Sequence, residues 1–150
     1  MSSTVLFLLI FALGWYNVGT VWAHEVDIFR TWRLVPASAF HEVQSAHWHK
    51  LIYWVLLPVG LTLAGSLALI WYHPPFIPRW AVIGNAGCQL LSVILTTVLW
   101  APWQVALSRD PAGPASRYLE RILGTHWLRV LVITAGALCL LIGLGLGMQS

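Results

Sequence analysis

Histidine is the residue type best suited to chemistry in this sequence, and its distribution along the chain is uneven. Five of the six histidines lie in the same two segments as all five acidic residues: His24, His41, His47, His49 and His126. An imidazole has an ordinary pKa of about 6.5, so it can transfer protons at neutral pH or ligate a metal. The sequence therefore points to acid–base chemistry, with a metal or haem site as an alternative, and it identifies no cofactor.

The spacing of two of these histidines limits what a metal site could be. If Ser38 caps a helix, the residues after it place His41, Ser45 and His49 at every fourth position on one face. The helical rise separates the two histidines by roughly 12 Å, so they cannot share one ion without other ligands. The candidate ligands are His24, His41, His49 and His126. The alternative is that these histidines only anchor helix ends to loops.

A second pattern is a stripe of polar and tryptophan side chains within an uncharged run. At steps of three or four residues it contains Asn85, Gln89, Ser92, Thr96, Trp100 and Trp103. Amides are costly in hydrocarbon, so this stripe must face protein or a cavity. Asn17, on another uncharged run, could face the stripe and interact with it. We expect either hydrogen bonds that fix helix register or a pocket for a lipophilic ligand that opens toward the histidine-rich end.

Two further residues complete the candidate site. Arg129 follows His126 by one helical turn and lies just inside an apolar run. A guanidinium in that position is expected to pair with a carboxylate. The candidate partners are Glu25, Asp27, Glu42 and Glu120. As an enzyme, the protein would use His41 or His126 to abstract a proton and Arg129 with Gln104 to stabilise the oxyanion, while the stripe shapes the pocket.

The elements that must position these residues follow from composition. Of the 150 residues, 59% are hydrophobic and 9% charged, against about 25% charged in soluble domains, which argues against a water-soluble globule. Uncharged runs at about 4–23, 51–72, 80–103 and 127–148 have the length of a membrane span, and only Arg129 interrupts the last. We predict one all-α domain, a four-helix transmembrane bundle with both termini on the same side.

Charge distribution gives this bundle an orientation. Seven of the eight basic residues flank the two longer connections, and Arg79 alone lies by the short one. The positive-inside rule then places the long connections in the cytoplasm and both termini outside. Residues 21–23 resemble a signal-peptide cleavage site, but no Lys or Arg precedes the first run, which favours a retained helix. No basic patch with interleaved aromatics lies away from the spans, so nucleic acid is not an expected partner.

Three short motifs carry a family resemblance. They are Trp32-Arg33-Leu34-Val35-Pro36 with Phe40-His41, Leu99-Trp100-Ala101-Pro102-Trp103-Gln104, and Gly124-Thr125-His126-Trp127-Leu128-Arg129. Together they resemble small bacterial four-span membrane proteins of unknown function related to the anthrone-oxygenase-like family. His126 stands where that family usually has Asn. The resemblance implies a bundle in the bacterial inner membrane and, for a minority of relatives, cofactor-independent oxygenation of polycyclic anthrones.

Three functional interpretations remain open at the level of sequence. The first is an enzyme that oxidises or isomerises a lipophilic aromatic or quinone-like molecule. The second is a non-enzymatic accessory subunit that packs against a larger membrane complex and binds pigment, quinone or lipid. The third is a metal or haem binding protein. In each interpretation the lipid bilayer is a partner.

Overall fold

Four long helices make up the protein in a computed structural model, which describes residues 2–149. They are α1 (Ser3–Leu34), α2 (Ala37–Tyr72), α3 (Arg79–Leu107) and α4 (Arg117–Gly147). Each is long and apolar enough to cross a membrane. The predicted all-α four-helix transmembrane bundle is confirmed, and the helices extend beyond the predicted runs, mainly at the histidine-rich end.

The helices pack in a ring in which α1 contacts α2 and α4, and α3 contacts the same two helices. Two apolar clusters close the ends of this ring. The cluster at the end with the short α2–α3 connection contains Phe7, Ile10, Leu69, Ile77, Ala81, Val82 and Leu140. The cluster at the histidine-rich end contains Phe29, Trp32, Phe40, Leu107, Leu119 and Ile122. The interior between the clusters is therefore screened from water at both ends.

Glycines on α4 allow the closest helix contact, which is with α3. A Cβ atom on Gly136 would lie 2.9 Å from the Cβ of Cys88, and one on Gly143 would lie 2.5 Å from the Cβ of Ala81. Small residues let two backbones approach within a membrane, where dispersion contacts drive helix association. Gly136 and Gly143 therefore lie in a tightly packed α3–α4 interface, which we call the seam.

π-Helical turns interrupt three of the helices within the described range. They span His24–Ile28 in α1, Ile52–Leu56 in α2 and Thr96–Trp100 in α3. The second and third turns are each followed, two residues later, by a proline: Pro58 and Pro102. Proline lacks an N–H and its ring clashes with the carbonyl four residues back, so the preceding turn widens. The Tyr16 hydroxyl donates to the Trp54 carbonyl at 2.9 Å, which supplies a partner that Pro58 cannot.

The connection before α4 is ordered by one carboxylate. Asp110 accepts hydrogen bonds from the Ser116 hydroxyl at 2.6 Å and the Ala112 N–H at 3.0 Å. Ser116 in turn caps α4 by accepting from the Tyr118 N–H. Gly113, with φ of +55°, turns the chain beneath the Phe40 ring. Asp110 thus fixes where α4 begins.

We expect Gly143→Ala to destabilise the bundle by about 1–3 kcal/mol, because the new methyl group collides with Ala81 in a seam that cannot widen freely. Thermal unfolding in detergent micelles, followed by tryptophan fluorescence, measures the effect. Gly145→Ala is the matched control, since a Cβ there meets nothing within 4 Å. Equal midpoints for the two variants would contradict the seam.

The hydrogen bonds from Ser116 and Ala112 hold the pKa of Asp110 below its ordinary value of 3.8. A depressed pKa means that Asp110 stabilises the fold above the unfolded-state pKa, and that this contribution disappears as the pH falls through the folded-state value. Asp110→Asn should therefore lower the unfolding midpoint at pH 6, and the difference from wild type should shrink below about pH 4. Glu42→Gln, which removes an exposed carboxylate from another helix, is the matched control.

Candidate functional site

A cavity of about 300 Å³ lies where the π turns meet, between the two apolar clusters. All four helices contribute to its wall, which is mostly apolar. The polar side chains that line it are Asn17, Thr20, His24, Thr96, Thr97, Gln104, His126 and Arg129. Small-molecule sites have this character: a mostly apolar pocket of a few hundred cubic ångströms with a few polar groups that orient the ligand.

A buried carboxylate orients His126 within this wall. Glu25 is 8% exposed and His126 is 2% exposed. The Nδ1 of His126 lies 3.1 Å from Glu25 Oε2, so the ring donates from Nδ1 to the carboxylate. That hydrogen bond leaves Nε2 without a proton and able to accept one, and the carboxylate would stabilise the imidazolium that forms. The Phe29 ring packs edge-on against the imidazole, at 4.9 Å between centroids, and restricts its rotation.

The other oxygen of Glu25 is held by Arg30. The Nη2 of Arg30 donates to Oε1 at 2.7 Å, and its Nε donates to the Glu25 carbonyl at 2.8 Å. The two residues are five positions apart, a spacing that suits a π turn, whereas regular helices pair side chains three or four apart. Sequence reasoning missed this pair as part of the site for that reason. The position of Glu25 directly after His24 in the sequence was the one feature that could have pointed to this pair.

Arg129 is 8% exposed and lines the cavity. The predicted carboxylate partner is wrong, because no Asp or Glu oxygen within residues 2–149 lies within salt-bridge distance of it. Glu25 pairs with Arg30, and Glu120 pairs with Arg33 at 2.7 Å. The guanidinium instead lies over the Trp100 ring at 5.7 Å, and its Nε has no hydrogen-bond partner among the described atoms.

An unpaired buried cation favours a ligand that brings negative charge to it, because the protein supplies no compensating carboxylate there. Trp100 keeps its position under the guanidinium by donating from its indole Nε1 to the Thr125 hydroxyl at 3.0 Å. The guanidinium therefore borders a rigid aromatic wall on one side and the cavity on the other.

His24 contributes a second imidazole. Its Nδ1 lies 2.7 Å from the Thr20 carbonyl and therefore donates to it. The remaining nitrogen, Nε2, is buried and has no partner in the described part of the chain. His47 packs against His24 with ring centroids 5.3 Å apart, and against Trp32 at 5.1 Å. The sequence analysis groups His47 with the histidine-rich end but assigns it no role in the site. Its contact with His24 follows from how α1 and α2 pack.

The structure divides the polar stripe of α3. Thr96 and Trp100 line the cavity together with Asn17. Asn85, Gln89 and Ser92 are fully buried, as an inward-facing stripe requires, but they lie outside the cavity wall. The remaining member, Trp103, packs with the apolar cluster at the histidine-rich end and lies under Arg121.

Part of the stripe fixes helix register. The Asn85 amide donates to the Ser66 hydroxyl at 2.7 Å, and the Asn17 amide donates to the Thr62 hydroxyl at 2.9 Å. Such bonds join α3 and α1 to α2. The Nε2 and Oε1 atoms of the Gln89 amide and the Ser92 hydroxyl have no hydrogen-bond partner among residues 2–149.

Of the remaining predicted site residues, Gln104 lines the cavity, whereas His41 and His49 lie apart from it. Gln104 also lines a second cavity of about 190 Å³ that contains His41. His41 Nδ1 lies 3.1 Å from the Ser108 carbonyl, and the exposed His49 lies against the Ser45 carbonyl. The four candidate metal ligands are therefore not brought together. No group of three or more His, Cys, Asp or Glu residues in the described ranges could hold a metal ion.

No family model, curated protein or solved structure matches this chain. Its class is that of a multi-pass helical membrane protein with an internal cavity. The case for a particular function therefore depends on the geometry of that cavity and on the chemistry of the side chains around it.

Glu25→Ala should lower the free energy of unfolding by about 1–3 kcal/mol, because it leaves the buried His126 N–H without an acceptor. The midpoint of thermal unfolding in detergent micelles measures the loss. Asp27→Ala removes an exposed carboxylate from the same π turn and is the matched control. If both variants unfold at the wild-type temperature, Glu25 does not hold His126.

Proposed function

We propose that this protein binds a lipophilic aromatic or quinone-like molecule in the cavity and removes a proton from it, as the first step of its oxidation or isomerisation. The observation that carries the proposal is the Glu25–His126 pair on the wall of an apolar cavity that also holds the unpaired Arg129. A base, an orienting carboxylate and a cation around one space are the parts that proton abstraction next to a carbonyl needs.

Each residue has a role that its position supports. His126 accepts the proton at Nε2, and Glu25 stabilises the resulting imidazolium through Nδ1. Arg129 and Gln104 stabilise the oxyanion that remains on the ligand. Of the two histidines that the sequence offers as base, His126 is favoured over His41, because His126 lines the larger cavity and has a carboxylate partner.

The fate of the oxyanion distinguishes the two reactions. In an isomerisation, the same proton returns to another atom of the ligand, and no further reactant is needed. In an oxidation, the electrons must pass to an acceptor, for which the anthrone-oxygenase resemblance suggests dioxygen. Both reactions share the proton transfer, which is the step assigned to this chain.

We further propose that the protein lies in a bacterial inner membrane, with the cavity near its cytoplasmic side and the Ser3 and Gly147 helix ends outside. This orientation is supported by the basic residues at the histidine-rich end, among them Arg30, Arg33 and Arg121, against Arg79 at the other end.

A non-enzymatic accessory role is the second candidate, and exposed aromatic side chains favour it. Tyr53, Trp54 and Trp71 are each more than half exposed on the outer face of α2. Such a surface can pack against a partner in a larger membrane complex, although interfacial aromatic residues also contact lipid headgroups. In that role the cavity would bind its ligand without converting it.

Anthrone and a short-chain hydroquinone are suitable probes for the catalytic proposal. We expect His126→Gln to reduce the turnover of whichever probe reacts by about 10²–10⁴-fold, since it removes the base. His49→Gln, an exposed histidine outside the cavity, is the matched control and should keep wild-type turnover. The assay records absorbance of the product and consumption of dissolved oxygen.

Two results would decide against the enzyme. If the wild type binds a probe, by quenching of tryptophan fluorescence, but never converts it, the accessory role replaces the enzyme. If His126→Gln and Arg129→Gln both turn over a probe at the wild-type rate, the assigned residues do not form the active centre.

A further inference from the structure

The wall of the cavity is not equally covered on all sides. Every lining residue from α4 is buried, and so is every lining residue from α1 except Thr20. On α2 and α3 the coverage is thinner: Trp48, Leu56, Thr96 and Ala101 are only half-buried, and Thr97 is exposed. A residue that both lines a cavity and reaches the outer surface marks a place where the cavity approaches that surface.

On the α1 and α4 side of the histidine-rich end, the described residues give the cavity no comparable approach to the surface. Phe29 and Ile122 form part of its wall there, and both belong to the apolar cluster that closes that end. Both are buried, as are Trp32 and Leu119 behind them. Aromatic and aliphatic side chains therefore fill this side of the histidine-rich end, whereas Trp48 and Gln104 line both this cavity and the second one. The opening of the pocket toward this end stays a prediction.

The arrangement of α2 and α3 explains the thin side. The two helices pack closely from Leu57 to Tyr72 on α2 and from Arg79 to Leu95 on α3. Beyond those stretches, the π turns Ile52–Leu56 and Thr96–Trp100 face each other across the cavity. The Ala37–Leu51 part of α2 packs against the Gly113–Ala115 turn. Val93 packs against Val55 and Val59 at the edge of these turns, and the two π turns themselves share few contacts, so α2 and α3 are loosely packed at this level.

The surroundings of this loosely packed region are apolar. Thr96 and Thr97 donate their hydroxyls to the Ser92 and Val93 carbonyls, at 2.7 and 2.9 Å, so their polar atoms are internally satisfied. On the outer surface beside Thr97, Val98 is 64% exposed, and Ile94 and Leu57 are about half exposed. Apolar side chains that face outward from a membrane-spanning helix contact lipid chains.

We propose that the gap between Leu56 and Thr97 is a lateral portal, through which the cavity takes its ligand from the hydrocarbon of the bilayer. The ligand class is a membrane-dissolved apolar molecule, and a ligand too long for the cavity leaves its tail in the lipid between α2 and α3. The inference extends the proposed function to the source of the ligand. It depends on the cavity but not on proton transfer by His126.

A photoactivated carbene tests the portal without any knowledge of the natural ligand. The purified protein is returned to phosphatidylcholine vesicles with 3-(trifluoromethyl)-3-(3-iodophenyl)diazirine, which partitions into the bilayer, and labelled residues are located by mass spectrometry. We expect label on Val59 and Ile133, which are buried but line the cavity. Thr97→Trp should abolish that label by filling the gap, while label on outward-facing residues persists.

Val98→Trp is the matched control, because Val98 neighbours Thr97 but does not line the cavity, and it should keep the wild-type pattern. Leu56→Trp fills the gap from the other helix and replaces Thr97→Trp if that variant does not fold. Absence of label from Val59 and Ile133 in the wild type would overturn the portal. The portal would also be overturned if Ser45→Trp, which fills the second cavity, lost the label on Val59 and Ile133 while Thr97→Trp kept it. A protein that passes this test but fails the His126 assay has the portal without the proposed reaction.

Discussion

Backbone hydrogen bonding in an apolar medium is the constraint on which this structure depends. Lipid offers no partner to a free N–H or carbonyl, so each span must be a helix that satisfies its own groups. Pro58 and Pro102 each lack the N–H that a regular helix would use. The turns before them are π-helical, and the Tyr16 hydroxyl donates a hydrogen bond to the Trp54 carbonyl. The cavity lies at the level of those turns and of the His24–Ile28 turn in α1, so the departures from regular helix and the candidate site lie together.

Electrostatics within the bundle follow from the same scarcity of water. Glu25 pairs with Arg30 through Oε1 and with His126 through Oε2, and Arg129 is in none of the ion pairs of the described residues. The Arg129 guanidinium instead lies over the Trp100 indole and borders the cavity. In the proposed function, the uncompensated cation would favour ligands that carry electron-rich oxygen.

The sequence predicted the four spans, and it predicted the inward-facing stripe, because both depend on composition and helical periodicity alone. The same periodicity placed His126 and Arg129 one turn apart, and the cavity contains both. It failed where the helices stop being regular. Glu25 and Arg30 pair at a spacing that belongs to a π turn, and the carboxylate expected beside Arg129 is occupied elsewhere. Which stripe residues reach the cavity depends on where α2 and α3 diverge, which no single-helix pattern encodes.

His126 lies against Phe29 of the apolar cluster at the histidine-rich end, so the site is placed asymmetrically along the bundle. Most of the uncharged length of the spans, with the Phe7, Leu69 and Leu140 cluster, lies on the far side of the cavity, so most of a transmembrane voltage would fall there. A charge that moves between His126 and the nearer aqueous phase therefore crosses little of that voltage. Proton exchange at the site would follow the pH of one compartment and respond weakly to the energetic state of the membrane.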